Sequence, residues 1–400
     1  VSAAARAAEA AARHSYGRLL AWLVARGRDV AAAEDSLAEA FAAALATWPR
    51  DGVPASPEAW LLTAARRRLT DGHRRRATAA AAAPTLRLAA QEAMDPEDPD
   101  RIPDHRLALL LACAGPEVEP AARAPLMLQC VLGLDAARIA AAFLVAPAAM
   151  AQRLVRAKRR IARQGTGLVL PGRAELADRL PDVLGAIYAA YAAGATDPED
   201  GGSLAEEALW LARITAALAP EEPEAAGLAA LLLHLEARRG AGRDAEGRYV
   251  PLSRQAPRSW NGAFQAEAEA LLAAAAARGR PGRYQWEAAI ASVHAARRFT
   301  GETDWDSILL LYDALLAETA SPVVAVNRAV ALAELRGPAA GLAALGVAAA
   351  DARLAGYQPY WAALAALAER AGEAATAAEA RARAAALTPD PAVRDFLLKR

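Results

Sequence analysis

Two stretches of the chain concentrate positive charge that nothing nearby opposes. Residues 145–165, "VAPAAMAQRLVRAKRRIARQG", carry Arg153, Arg156, Lys158, Arg159, Arg160 and Arg163 and no carboxylate. Residues 60–76 carry Arg66, Arg67, Arg68, Arg74, Arg75 and Arg76 against Asp71 alone. Cations at this density are suited to phosphate: each phosphate neutralised releases condensed counterions, and affinity then depends on salt. The ordinary fate of a charge run is a solvated helix face. Such faces mix signs, however, because like charges one turn apart repel by about a few tenths of a kcal/mol per pair. Two unopposed runs point to nucleic acid.

Covalent and metal chemistry have no comparable signature. His14, His73, His105, His234 and His294 are scattered, without the HExxH arrangement. There is no phosphate-cradling glycine loop and no nucleophile–base pair. Cys113 and Cys130 form no CxxC and read as small buried apolar residues. No enzyme activity, cofactor or metal site is expected. No charge-poor apolar run reaches the ~18 residues of a membrane span. The N-terminal residues lack a signal-peptide pattern, and the leading Val1 reads as an alternative start codon. These features favour a cytoplasmic location with no membrane partner.

The elements that would position the cations are helical. Ala, Leu and Arg dominate, and aromatics make up only 5%, so an all-α fold is expected. Asp29 is placed to cap a helix whose apolar positions Val30, Ala33, Leu37, Phe41, Leu45 and Trp48 recur at three and four residues. Ser56–Pro57 then starts the helix that carries the first cationic cluster. Residues 77–103, with "MDPEDPD", read as an acidic linker. Four short helices are expected at about 104–114, 119–132, 135–142 and 147–163. Asp135 caps the third, and Pro147 starts the fourth after a break. Two helices joined by a tight turn, the second rich in Arg and Lys, have helix-turn-helix geometry. Met150, Leu154 and Ile161 would face the core, with Arg153, Arg156, Lys158 and Arg160 outward. From residue 172 the helices lengthen. Ser203 with Glu206, and Thr303 with Asp306, read as capping boxes. "YWAALAALAERAGEAATAAEARARAAALTPDP" reads as a tetratricopeptide-like helix pair. Charge divides along the chain: residues 1–170 hold 23 Lys+Arg and 17 Asp+Glu, and residues 171–400 hold 23 and 29.

The stretches "RDVAAAEDSLAEAFAAALATWP", "PEAWLLTAARRRLTDGHRRR" and "FLVAPAAMAQRLVRAKRRI" resemble the motifs of the extracytoplasmic-function (ECF) sigma factors of bacterial RNA polymerase. With "GRYQWEAAIASVHA", "DWDSILLLYDALL" and "SPVVAVNRAVALAEL", the chain resembles the group bearing a long C-terminal extension related to tetratricopeptide repeats. The resemblance implies a sigma region 2 over 1–76, a linker over 77–103, a helix-turn-helix region 4 over 104–164 and a helical extension over 172–400. It implies that Asp35, Glu39 and Phe41 meet core polymerase at the β′ clamp, and that region 4 meets the β flap. Arg67, Arg68, Asp71, Arg74 and Arg75 would serve the −10 element. Ala148, Ala149, Met150, Arg153, Arg156 and Lys158 would serve the −35 element. Three positions depart from the family pattern: Ala38 replaces a usual Gln, Asp135 a usual Thr, and Arg138 a usual Glu.

Two other readings compete. One is a helix-turn-helix regulator acting without polymerase, against which the clamp-binding helix argues. The other is a repeat-scaffold adaptor whose basic helices bind an acidic protein. The extension itself suits a protein partner, since helical repeats present a concave surface.

Overall fold

The computed structural model describes residues 3–27, 29–77, 102, 104–143, 145–163, 171–196 and 203–399. Most of the linker expected at 77–103 lies outside them. The fold is all-α, and the described residues contain no strand, only isolated bridge residues such as the Arg243–Tyr249 pair. Packing divides the chain into two units, Val1–Leu211 and Ala212–Arg400.

The first unit opens with three mutually packed helices, α1 (Ala3–Gly27), α2 (Val30–Asp51) and α3 (Pro57–Ala77). Asp29 caps α2 by accepting the Ala32 amide at 3.0 Å. Along α2, Ala33, Leu37, Ala40, Ala44 and Trp48 are buried at three- and four-residue spacing, so one stripe meets α1 and α3. The helix-turn-helix follows as α4 (His105–Cys113), α5 (Pro120–Cys130), α6 (Ala136–Ala142) and α7 (Pro147–Arg163), with α7 packed on α5 and α6. Its core is Leu107, Leu109, Leu110, Leu111, Leu126, Met127 and Leu128, all fully buried.

Two features of this unit differ from the sequence reading. The three-helix and helix-turn-helix modules do not stand apart: α1 packs on α4 and α5, and α2 on α7. The next helices, α8 (Leu176–Thr196) and the first half of α9 (Ser203–Leu218), also belong to this unit. Arg179 of α8 is buried and donates to the Leu111 carbonyl at 3.0 Å. Arg123 of α5 pairs with Asp182 at 2.8 Å. Arg106 of α4 pairs with Glu207 at 2.7 Å and lies over the Trp210 ring at 3.9 Å. By packing, the first compact unit therefore extends to residue 211.

The second unit is built of helices that pack mainly on their chain neighbours: α10 (Pro223–Arg239), α11 (Gly262–Ala276), α12 (Arg283–Thr300), α13 (Trp305–Thr319), α14 (Pro322–Arg336), α15 (Pro338–Ala348), α16 (Gln358–Ala371), α17 (Ala374–Leu387) and α18 (Pro391–Leu398). The α16–α17 pair turns at Gly372, whose φ of 81° suits glycine. α13 is capped by Asp304, which accepts the Ser307 amide at 3.0 Å, and not by Thr303 as expected. Its apolar layers include Ile290, Ile308 and Leu315, then Leu345, Leu354 and Leu367.

Candidate nucleic-acid and polymerase interface

The geometry of α7 follows from its start and its periodicity. Pro147 stands at the first helical position, where its missing amide hydrogen leaves no donor unpaired. Met150, Leu154, Ala157 and Ile161, at spacings of four, three and four, are buried and fix the helix on the module. That leaves Ala148, Ala149, Arg156, Arg159, Arg160 and Arg163 exposed. None of these four arginines pairs with a described carboxylate. Preceding α7, Asp135 caps α6 by accepting the Ala137 and Arg138 amides at 2.8 and 2.9 Å. Arg138 is half-buried.

Three residues expected at the −35 element are placed differently. Met150 is fully buried and belongs to the core, so it presents nothing to a groove. Arg153 is half-buried and donates to the Ala121 carbonyl at 3.3 Å. Lys158 is turned inward: its Nζ lies 2.7 Å from both carboxylate oxygens of Glu34 on α2, and both side chains are only 19% exposed.

On α3, Leu61, Ala65 and Leu69 are buried, and Arg66 and Arg67 are exposed. Arg68 is half-buried and pairs with Glu39 of α2 at 3.2 Å, a contact largely open to solvent and of small energetic weight. Asp71, Arg74 and Arg75 lie on the last turns of α3, and their side chains are outside the described ones. Trp60 packs across to α2, its ring edge-on to Trp48 with centroids 5.5 Å apart. Trp48 is itself buried. On α2, Asp35, Ala38, Glu39, Ala42 and Leu45 form an exposed face, with Leu45 51% exposed, and Phe41 is half-buried beside it. An acidic face carrying one open leucine is a surface for a partner with basic and apolar side chains.

Around Glu34 lies a contact that sequence reasoning missed. Cys130 of α5 reaches Glu34 Oε1 at 3.7 Å. Burial, then the Glu34 charge, pushes the Tyr16 phenol above its ordinary range. Hydrogen bonding to Cys113, then burial, raises the Cys130 thiol, so it stays protonated. Gly17 of α1 sits so close to the α5–α6 loop that a Cβ there would lie 1.5 Å from the Val131 carbonyl oxygen. No group of three or more His, Cys, Asp or Glu able to hold a metal ion occurs among the described residues. No helix among them is long and apolar enough to cross a membrane.

Comparison with known proteins now adds to this geometry. Residues 11–79, which span nearly all of α1–α3, match the model of sigma-70 region 2. Residues 179–276 match a family of unknown function, DUF6596. Over 369 residues the chain is 39% identical to the uncharacterized protein R00370 of Rhizobium meliloti (strain 1021), covering 90% of this chain and 87% of that protein. The chain belongs to the family of R00370. Its region 2 supports a sigma-70 family factor with a role in transcription initiation, and core RNA polymerase and promoter DNA as partners. No solved structure matches the chain.

Proposed function

We propose that the chain is a promoter-specificity subunit of the extracytoplasmic-function type. The exposed face of α2, with Asp35 and Glu39, docks on the β′ clamp of core polymerase. α3 receives the −10 element, with Arg66 and Arg67 toward the strand and Arg74 and Arg75 on its last turns. α7 enters the major groove at the −35 element, with Ala148 and Ala149 close to base edges and Arg156, Arg159, Arg160 and Arg163 on phosphates. The helix-turn-helix module also meets the β flap. The chain itself performs no bond-making step: it holds DNA and offsets the few kcal/mol of base unpairing through phosphate neutralisation and capture of an unstacked base.

The observation that carries this reading is the row of four exposed arginines on α7 that pair with no carboxylate among the described residues, set on a helix whose opposite face is buried. The second unit is read as a tetratricopeptide-like platform for a protein partner, on the strength of its neighbour-to-neighbour helix packing.

Assembly with core polymerase tests the reading. Pure protein should join core enzyme and support transcription from a promoter with −10 and −35 elements. Asp35→Ala with Glu39→Ala should weaken that assembly by roughly tenfold, as expected for loss of about 1.4 kcal/mol at the interface. It should leave salt-dependent binding to duplex DNA in place. Wild-type assembly by the double variant would reduce those carboxylates to a solvated face. Specific duplex binding with no assembly would favour a regulator that works without polymerase.

A further inference from the structure

α7 carries an exposed crest whose middle residues have no role in the proposed function. Met150, Leu154, Ala157 and Ile161 bury one side of the helix. At about 3.6 residues per turn, Ala148, Gln152, Val155 and Arg159 fall on the opposite side, and all four are exposed. Arg156, Arg160 and Arg163 stand along one flank of that crest. The positive charge therefore rims the helix, and the first three turns of the crest are neutral.

The composition of the crest is specific. Gln152 is the only neutral polar side chain on α7. Its amide carries both donors and an acceptor, and it has no hydrogen-bond partner among the described residues. Val155 is 47% exposed, an aliphatic side chain open to water between cations. A single exposed glutamine or valine is ordinary on a protein surface. At the crest of a cation-rimmed helix, however, the two meet whatever the arginines grip.

The flanking guanidinium groups suit phosphate, and a helix held by phosphates in the major groove sets its crest against base edges. There the Gln152 amide nitrogen can donate to adenine N7 while its carbonyl oxygen accepts from the adenine N6 amine. No other base offers that acceptor and donor side by side on its major-groove edge. An apolar side chain at the same depth finds its match in the thymine 5-methyl group. At ~1.5 Å rise per residue, Gln152 and Val155 are ~4.5 Å apart along the helix axis, close to one base-pair step of ~3.4 Å. They therefore meet neighbouring pairs.

We propose that Gln152 and Val155 set the base preference of α7: Gln152 reads an adenine, and Val155 packs on the methyl group of a thymine in an adjacent pair. The target is a duplex with consecutive A·T pairs, framed by phosphates that Arg156, Arg160 and Arg163 hold. The inference rests on the entry of α7 into the major groove proposed above.

The test is selection from duplexes with a randomised window, using the full chain both free and joined to core polymerase. The wild type should enrich a site with adjacent A·T pairs. Gln152→Ala should flatten the preference at one adenine by roughly tenfold or more. Gln152→Glu, whose carboxylate accepts from the cytosine N4 amine, should turn that position toward cytosine. Uracil in place of the thymine beside it removes only the 5-methyl group. That change should weaken binding by the wild type several-fold and leave binding by Val155→Ala unaltered. Both side chains are exposed, so thermal melts of the variants should match the wild type. An unchanged selected site in both Gln152 variants would overturn the assignment of Gln152, and indifference of the wild type to uracil that of Val155. Unaltered base preference with weakened assembly on core polymerase would make the crest a protein contact and overturn both. If neither the free chain nor its complex with polymerase selects any sequence, the groove reading of α7 falls first and this assignment with it.

Discussion

At the scale of single residues, His294 shows how burial sets a proton. It lies on α12 with its ring edge-on to Trp305, centroids 5.6 Å apart. Burial, then the charges of Arg238 and Arg297, lower its pKa to about 4. The folded imidazole is therefore neutral at pH 7, whereas an unfolded one takes a proton near pH 6.5. Between those values the unfolded chain binds more protons, so stability is full above pH 6.5 and is lost as pH falls toward 4. The shift corresponds to on the order of 3 kcal/mol at most. His234, lowered by burial, acts in the same direction. The urea midpoint followed by tryptophan fluorescence should drop between pH 7 and pH 4.5, and His294→Gln should lessen that drop. An equal drop in the variant would remove His294 as a source.

At the scale of the element, α7 separates two roles that its sequence interleaves. Arg156→Ala should lower the salt slope of duplex binding by roughly 0.9 and leave the melting temperature unchanged. Met150→Ala should cost about 2–5 kcal/mol of stability without changing which bases are preferred. Titration of DNA binding against salt, together with thermal melts, measures both, and a melting loss for Arg156→Ala would place that arginine in the packing instead. Much of this element was legible beforehand. The period of Met150, Leu154 and Ile161, the proline start and the Asp135 cap are local signals, and local signals survive folding. The fate of Lys158 was not legible, because its carboxylate partner stands 124 residues earlier and no periodicity connects them. The sequence admits Met150 both in the core and at DNA, and burial decides for the core. The contact of Trp60 with Trp48 on another helix is likewise one that no periodicity connects. The α13 cap is a local ambiguity instead: Thr303 and Asp304 are chain neighbours, and Asp304 takes the cap.

At the scale of the molecule, the division at residue 211 has direct consequences for stability. Ending the chain after Gln164 would strip Leu180, Val183, Leu184 and Ile187 from the first unit, all buried. It would also leave Arg106 and Arg123 without Glu207 and Asp182. Each lost aliphatic side chain is worth about 1.5–3 kcal/mol. A fragment ending at Gln164 should melt at least about 10 °C below one ending at Leu218, and circular dichroism melts of the two fragments check this. Equal melting would show that α8 and α9 contribute nothing to the first unit. The match to the family of unknown function begins at residue 179, inside α8, and runs to residue 276. Sequence kinship therefore straddles the boundary that packing draws. In the language of recombination, the extension is not a cassette. A graft joined at residue 172 would carry away the Arg179 that holds the Leu111 carbonyl and the Asp182 that holds Arg123. The donor would have to supply their equivalents. Crossovers that preserve the first unit lie some forty residues further on, within α9.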